Sequence, residues 1–150
     1  MTLRARWSAF AVAFILIAGF SAAGSAHDFE VKMLNKGDGQ LFHYAPNILH
    51  VAPGDTVTFV SATPGHDVQS IRGMIPEGAK PIRVNFNRTE TVTFEVPGIY
   101  GFKCTPHAAF GMVGVIVVGD PANGDTAHEA ARALPAKARA TMLKILDEIV

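Results

Sequence analysis

The sequence predicts a mainly β domain, a sandwich or barrel, followed by two α-helices. Between residues 29 and 118 the chain consists of short β-branched and apolar runs separated by Gly and Pro, a pattern typical of antiparallel sandwiches and barrels. After residue 119 the composition changes to Ala, Leu, Lys, Arg and Glu, most of which are strong helix formers. The 150 residues, 49% hydrophobic and 17% charged, suffice for one domain with a core and exclude a disordered chain.

The first 26 residues are predicted to be a cleaved export signal. Two arginines precede an apolar run at residues 10–20, and small residues follow up to Ala26; this order is typical of a secretory signal peptide. We place the cleavage after Ala26, so that the mature chain begins at His27. An uncleaved anchor is the alternative, but these 11 residues are short against the roughly 20 apolar residues that span a bilayer. We therefore expect export to the periplasm without stable membrane association.

The charge balance excludes a strongly basic nucleic-acid-binding protein. The 13 Lys and Arg residues offset 13 Asp and Glu residues, for a formal net charge of zero with neutral histidines. Cleavage removes two arginines and no acid, which leaves 11 positive and 13 negative charges on 124 residues, a net charge of −2. We expect no nucleic-acid partner, since such proteins neutralise phosphates with clustered basic residues.

Six segments have the length and pattern of strands. The segments at 57–60 and 91–96 are rich in Val, Thr and Phe; the turn at 52–55 precedes the first and Pro97-Gly98 ends the second. The others are 29–34, 47–51, 99–103 and 113–118. Each is apolar or alternating over a strand's length rather than a helix's length. The sandwich is therefore assigned to residues 27–118.

Two helices are predicted in the C-terminal extension, residues 119–150. They span about 125–134 and 135–149, the second with Pro135 in its first turn, a position that proline favours. Apolar residues recur on one side of the second helix at Ala138, Met142, Ile145, Leu146 and Ile149. This stripe predicts that the helix pair packs on the sandwich.

A metal site is predicted in the loop between the last two strands. Cys104, His107 and Met112 place a thiolate, an imidazole and a thioether within nine residues. His66 follows a Pro-Gly turn on another loop and is the best candidate for a fourth ligand. One Cys, two His and a weak axial Met are the ligands of a type 1 copper centre in blue-copper electron-transfer proteins. As the only cysteine, Cys104 cannot form an intramolecular disulfide, and a free exposed thiol is a liability after export.

The same residue types are compatible with three alternative sites. Cys and His also suit zinc, although a thioether is a poor zinc ligand. A hydrolase with Cys104 as nucleophile and His107 as base is an enzyme alternative, disfavoured by the spacing and by the lack of an evident orienting group; we therefore expect no enzyme activity. His27 could use its new amine and its imidazole in a copper oxidase. His43, His50 and His128 have no ligand spacing.

The chain resembles the pseudoazurins, a group within the cupredoxin family of type 1 blue-copper proteins. The resemblance covers the mature chain and rests on Gly65-His66-Asp67, on the stretch Tyr-Gly-Phe-Lys-Cys-Thr-Pro-His at 100–107 with Met112, and on the two-helix tail. It implies a Greek-key sandwich of about eight strands, one copper ion cycling between Cu(I) and Cu(II), and transient electron delivery, by a monomer, to copper nitrite reductase or a c-type cytochrome. A periplasmic copper storage or delivery protein is the alternative function.

The loops around the expected ligands suggest further contacts. The Asp67 N–H is expected to bond to the Cys104 thiolate. The resemblance suggests a hydrogen bond between Asn35 and Thr105, and Asp67 stands where the family usually has Asn, which puts any side-chain bridge at that position in doubt.

The sequence also predicts a partner surface around one ligand. Phe42 is either a core residue or an aromatic stacked on the exposed ligand ring. We expect the edge of His107 to reach the surface inside an apolar patch. Lys36, Lys80 and Lys103 are expected to ring that patch and to attract an acidic partner.

Overall fold

A computed structural model describes residues 26–37 and 39–149, which form two β-sheets, a short 3₁₀ helix and two α-helices. The export signal predicted at 1–26 lies, except for Ala26, outside the described residues. The strands are β1 (Asp28–Gly37), β2 (Gln40–Ala45), β3 (Ile48–Val51), β4 (Thr56–Val60), β5 (Val68–Ser70), β6 (Arg83–Val84), β7 (Glu90–Thr93), β8 (Gly98–Lys103) and β9 (Val113–Val118), the 3₁₀ helix is Ala108–Phe110, and the helices are α1 (Gly124–Ala131) and α2 (Ala136–Ile149).

The predicted β-sandwich with two C-terminal helices is confirmed. One sheet has the strand order β2-β1-β4-β7 and the other β3-β9-β8-β5-β6. The pairing is antiparallel, as the pattern indicates, except at two places, where β1 pairs with β4 and β3 with β9 in parallel. The chain reaches β4 by way of β3 in the opposite sheet, and this crossing returns it to the first sheet in the same direction as β1.

Three of the nine strands in the described residues, β2, β5 and β6, have no counterpart among the six predicted segments. Nine strands agree with the expectation of about eight. β5 and β6 contain three and two residues, too few to show a period. β2 lacks clean alternation, because the consecutive residues His43 and Tyr44 are both buried. The prediction at 113–118 matches β9, whereas the strand predicted at 91–96 is observed at 90–93.

The sandwich core lies between the two sheets and is built around aromatic rings. Phe102 of β8 meets Tyr44 and Phe59 edge to face, with ring centroids 4.8 and 5.4 Å apart, the geometry that aromatic quadrupoles favour. Every residue of β9 is buried because the strand has a core on each face: Ile116 and Val118 face the sandwich core, and its other face joins the helices.

The helices form a second core against β9, as the apolar stripe predicts. Ala138, Met142, Ile145 and Leu146 of α2 are buried there. α1 ends before the predicted residue 134 because its last residues tighten into three-residue turns, and Pro135 precedes α2, its carbonyl accepting the Arg139 N–H at 2.8 Å. No helix in the described ranges is long and apolar enough to cross a membrane.

Candidate metal centre

The loop from Cys104 to Met112 is closed by its own backbone hydrogen bonds. The Cys104 N–H donates to the carbonyl of Met112 at 3.1 Å, and the Met112 N–H donates to the carbonyl of His107 at 3.2 Å. The 3₁₀ helix fills the loop and ends at Gly111, whose φ of 93° favours glycine. The three ligand candidates of this loop are thereby fixed at the end of β8.

His66 reaches the same end of the sandwich from the loop between β4 and β5. Asn87 holds that loop from both sides: its Oδ1 accepts the Gly65 N–H at 2.6 Å, and its own N–H donates to the carbonyl of His66 at 2.9 Å. Thr63 Oγ1 lies 3.5 Å from Nε2 of His66 and accepts the Asn35 N–H at 2.8 Å. A hydrogen bond on the second ring nitrogen orients a metal-binding histidine.

Three donor atoms converge on one point between these loops. The two Nδ1 atoms of His66 and His107 are 3.1 Å apart, and Sγ of Cys104 is 3.6 and 3.5 Å from them. A point equidistant from the three atoms lies about 2.0 Å from each, the length of a bond from a metal to imidazole nitrogen and slightly less than one to thiolate sulfur. The predicted residues are therefore brought together in a geometry that fits a metal ion.

Met112 lies beside this triangle in the core. It is fully buried, as are Cys104 and His66, and it shares the sandwich core with Cys104. Among the described residues, one cluster of potential metal ligands of the His, Cys, Asp and Glu types has converging donor atoms, and it consists of His66, Cys104 and His107. The other histidines predicted to lack ligand spacing, His43, His50 and His128, are not part of it. A soft thioether beside a thiolate and two imidazoles favours copper over zinc.

Burial sets the protonation of the donors. It raises the pKa of the Cys104 thiol to about 11, against the lowering effect of hydrogen bonds from the N–H groups of Asp67 and His107. The pKa of His66 is lowered mainly by burial and further by the neighbouring His107. Burial also lowers the pKa of His107. Both imidazoles are thus held in the neutral form that binds metals, and metal binding displaces the thiol proton.

Phe42 stacks on the ring of His107. The two rings are parallel within 4° and their centroids are 4.0 Å apart. Phe42 has a φ of 49°, a left-handed conformation that is uncommon for a bulky residue. Of the two roles the sequence allowed, stacking is the one observed.

Asp67 connects the two ligand loops. Its Oδ1 accepts the Thr105 N–H at 2.6 Å, and its carbonyl accepts the Tyr44 hydroxyl at 2.7 Å. The side-chain bridge that the sequence left in doubt is therefore formed, by a carboxylate. The expected bond between Asn35 and Thr105 is absent from the described residues, because Asn35 is directed to Thr63 and to the carbonyl of Pro64 instead.

The ring of His107 is partly exposed among apolar side chains. The centroid of Phe110, which is 54% exposed, lies 6.3 Å from that of the His107 ring. Leu41, 64% exposed, precedes the stacked Phe42 in the chain, and Phe86, 55% exposed, precedes Asn87. These are the large apolar residues that the described part of the chain exposes most. We call Leu41, Phe86 and Phe110 the apolar rim.

The three lysines expected around His107 occupy different places. Lys36 pairs with Leu41 across the β1–β2 hairpin, and Lys103 directly precedes Cys104. Lys80 instead lines a groove with Val96 and Tyr100, toward the far end of β8. The expectation is corrected there: β6 runs antiparallel to β5, toward the loop of His66, so that Lys80, which precedes β6, lies on the side away from the ligand loops.

Thr63 and Asn87 are site residues that the sequence did not reveal. Asn87 makes two hydrogen bonds to the His66 loop, and Thr63 lies within hydrogen-bond distance of the His66 ring. Neither position belongs to a motif. The only local signal is the turn Asn-Phe-Asn-Arg at 85–88, and turns are too common to indicate a site.

Comparison with known proteins identifies the family. A family model described as copper binding proteins of the plastocyanin/azurin family matches residues 31–119. The pseudoazurin of Paracoccus pantotrophus is 40% identical over 133 residues, which cover 88% of this chain and 90% of that protein. The chain belongs to the pseudoazurins. The pseudoazurin of Methylorubrum extorquens is 38% identical over 120 residues, 80% of each chain. The crystal structure of pseudoazurin from Methylobacterium extorquens AM1 matches with a TM-score of 0.77 at 33% identity, covering 82% of this chain and 99% of that one.

Membership assigns the cofactor and the general role. This cupredoxin binds copper, and His66, Cys104, His107 and Met112 are arranged as in a type 1 centre. Pseudoazurins are electron carriers rather than enzymes, and membership in the family supports the role of a blue-copper electron carrier for this chain.

Proposed function

We propose that this pseudoazurin is a periplasmic one-electron carrier that exchanges electrons transiently with redox proteins, copper nitrite reductase or a c-type cytochrome. Pseudoazurin homologues are periplasmic proteins, and the predicted signal at 1–26, cleaved after Ala26, provides the export. In this proposal residues 27–118 form the copper-binding sandwich and 119–150 a helical extension packed on it, and the protein acts as a monomer.

The copper ligands are assigned from the converging donor atoms. Nδ1 of His66, Nδ1 of His107 and Sγ of Cys104 would hold the copper ion, with the thioether of Met112 as a weaker fourth ligand. The observation that carries the assignment is the triangle of 3.1, 3.5 and 3.6 Å. When bound, copper supplies the one-electron couple.

The protein holds these donors in place before and after the electron moves. Asn87 fixes the loop of His66, Asp67 bridges to the loop of Cys104, and that loop closes on itself. Rigid donors keep the rearrangement on reduction small, because fixed dipoles need not reorganise when the charge changes.

The exposed ring of His107 is the route for electrons to the surface. Its Nδ1 faces the other two donors, so the opposite edge of the ring is available to a partner. Phe42 and Phe110 lie beside this ring, and the exposed apolar rim would exclude water when a partner docks. Lys36 is exposed beside Leu41 and attracts an acidic surface.

Electron transfer from the reduced, copper-loaded protein to copper nitrite reductase, followed by stopped flow, tests this function. We expect Phe110→Glu to slow the transfer at least tenfold, roughly 1.4 kcal/mol of barrier, because a charge enters the apolar contact. Thr93→Glu on the exposed face of β7, away from His107, is the control and should leave the rate unchanged. No transfer to the reductase by the unaltered protein, or equal rates for both variants, would contradict the proposal.

A further inference from the structure

We propose that signal cleavage after Ala26 creates an ion pair between the new α-ammonium group of His27 and the buried carboxylate of Asp55, so that the domain reaches full stability only after processing. The inference rests on the export and cleavage proposed above. It concerns the end of the sandwich at the start of β1 and β4, and it makes the peptide bond between Ala26 and His27 a functional modification site.

Asp55 is a buried carboxylate with little compensating charge. Its side chain is 4% exposed. Oδ2 accepts the Ala52 N–H at 2.7 Å, and Oδ1 accepts the His27 N–H at 2.8 Å. In the described ranges no lysine or arginine lies within 4.0 Å of it; the nearest ring nitrogen is Nδ1 of His27, at 3.6 Å. A buried carboxylate without a full positive partner is costly.

The nitrogen of His27 is fixed in front of this carboxylate by the sheet. The carbonyl of His27 accepts the Thr56 N–H at 2.9 Å, and the next residue, Asp28, begins the parallel pairing of β1 with β4. Cleavage on the N-terminal side of this atom leaves these contacts in place. It replaces one neutral N–H donor by a charged group with three donors, directed at the same oxygen.

The position of the cut decides whether this pair forms. Hydrogen bonds between charged partners are roughly twice as strong as those between neutral groups. A cut one residue earlier would move the charge by about 3.8 Å, the separation of consecutive Cα atoms, and would leave the amide of His27 neutral. The structure therefore favours Ala26–His27 over the other small-residue bonds of the segment.

The ion pair also assigns His27 a structural role, so that His27 need not be explained as the ligand of a second metal ion. Its imidazole is 71% exposed and lies farther from Oδ1 than its backbone nitrogen does. An ammonium bonded to a carboxylate has no free electron pair for copper. The oxidase role that the sequence allowed for His27 is thus disfavoured.

Two measurements on the copper-loaded protein test the inference. The exported protein should begin at His27 by intact mass. The chain with a free His27 amine should melt at least about 3 °C above the same chain with that amine acetylated, because acetylation restores a single neutral N–H donor as in the uncleaved chain. An Asp55→Asn variant should lose this difference between its free and acetylated forms.

The outcomes are decisive even if Asp55→Asn fails to fold, because the free and acetylated forms of the unaltered chain remain comparable. Equal melting temperatures for these two forms, or an exported protein that begins at another residue, would overturn the inference. The blue absorption of the copper centre should be the same in every form. Loss of that colour in the free form would instead count against the proposed electron carrier.

Discussion

Asp67 is the residue whose chemistry distinguishes this site most. It follows the ligand His66, is 9% exposed, and accepts the Thr105 N–H beside Cys104. Its negative charge adds to the effect of burial in raising the pKa of Cys104. At His66 and His107 it opposes burial, which lowers their pKa. A carboxylate here stabilises the more positive, oxidised state of the centre.

We therefore predict that Asp67→Asn raises the reduction potential. An asparagine Oδ1 still accepts the Thr105 N–H, so the charge is the only large change. Removing a charge this close should shift the potential by about 60 mV or more, the one-electron equivalent of tenfold. Cyclic voltammetry measures the shift. Glu95→Gln, an exposed site on the groove with Tyr100, is the control; an unchanged or lowered potential in Asp67→Asn would refute this role.

At the level of single residues, the sequence predicts the four ligand candidates but few of the residues that contact them. Cys104, His107 and Met112 are close along the chain, so their chemistry shows as a motif. The stacking of Phe42 depends on its left-handed backbone. The hydrogen bonds from Asn35 to Thr63 and from Gly65 to Asn87 join residues that are more than twenty positions apart in the chain and belong to no motif. Such contacts follow from the fold and not from local sequence.

Among the secondary-structure elements, α2 has a role beyond closing the second core. It packs on the ligand loop at Gly111, where a Cβ atom would lie 3.2 Å from both Lys137 Cγ and Thr141 Oγ1. Gly111 immediately precedes Met112. The helix therefore limits where the loop, and with it the thioether of Met112, can lie.

Gly111→Ala should therefore disturb both stability and the copper spectrum. Its φ of 93° disfavours alanine, and the new methyl group meets α2. We expect a loss of about 1–3 kcal/mol in the free energy of unfolding together with a changed electron paramagnetic resonance spectrum, as the axial ligand shifts.

Gly39→Ala separates backbone strain from packing. Gly39 has a comparable φ of 74°, and apart from its chain neighbours no heavy atom of the described residues lies within 4 Å of its Cβ position. This control should lose stability without any change in the spectrum. A normal spectrum in Gly111→Ala would show that α2 does not position the loop.

The elements themselves are predictable in proportion to their length and regularity. β9 is six consecutive apolar residues with a core on each face, and its observed ends match the predicted ones. β5 and β6 are too short to carry a pattern, and the parallel pairs of β1 with β4 and β3 with β9 depend on the path of the chain between sheets. Neither strand direction nor sheet order is encoded in any one segment.

For the whole molecule, charge determines how partners approach. The mature chain has a predicted net charge of −2, yet Lys36 is exposed on the hairpin beside the apolar rim. A local positive group can attract an acidic partner even when the net charge is slightly negative.

Lys36→Glu should slow association with an acidic redox partner by roughly twofold to tenfold at low ionic strength, and the difference should shrink as salt rises. Lys144→Glu, an exposed lysine of α2, is the control and should have a smaller effect. Stopped-flow kinetics over a series of salt concentrations measure both. Rates that do not depend on salt would exclude electrostatic attraction at this surface.

The central claim is that His66, Cys104, His107 and Met112 form a type 1 copper centre, and the visible absorption spectrum of the copper-loaded mature protein tests it most directly. We predict an intense blue band from thiolate-to-copper charge transfer that bleaches reversibly on reduction and is lost in Cys104→Ser, while circular dichroism shows the sandwich still folded. A colourless protein that binds only Cu(I), or a blue band that survives in Cys104→Ser, would contradict the account.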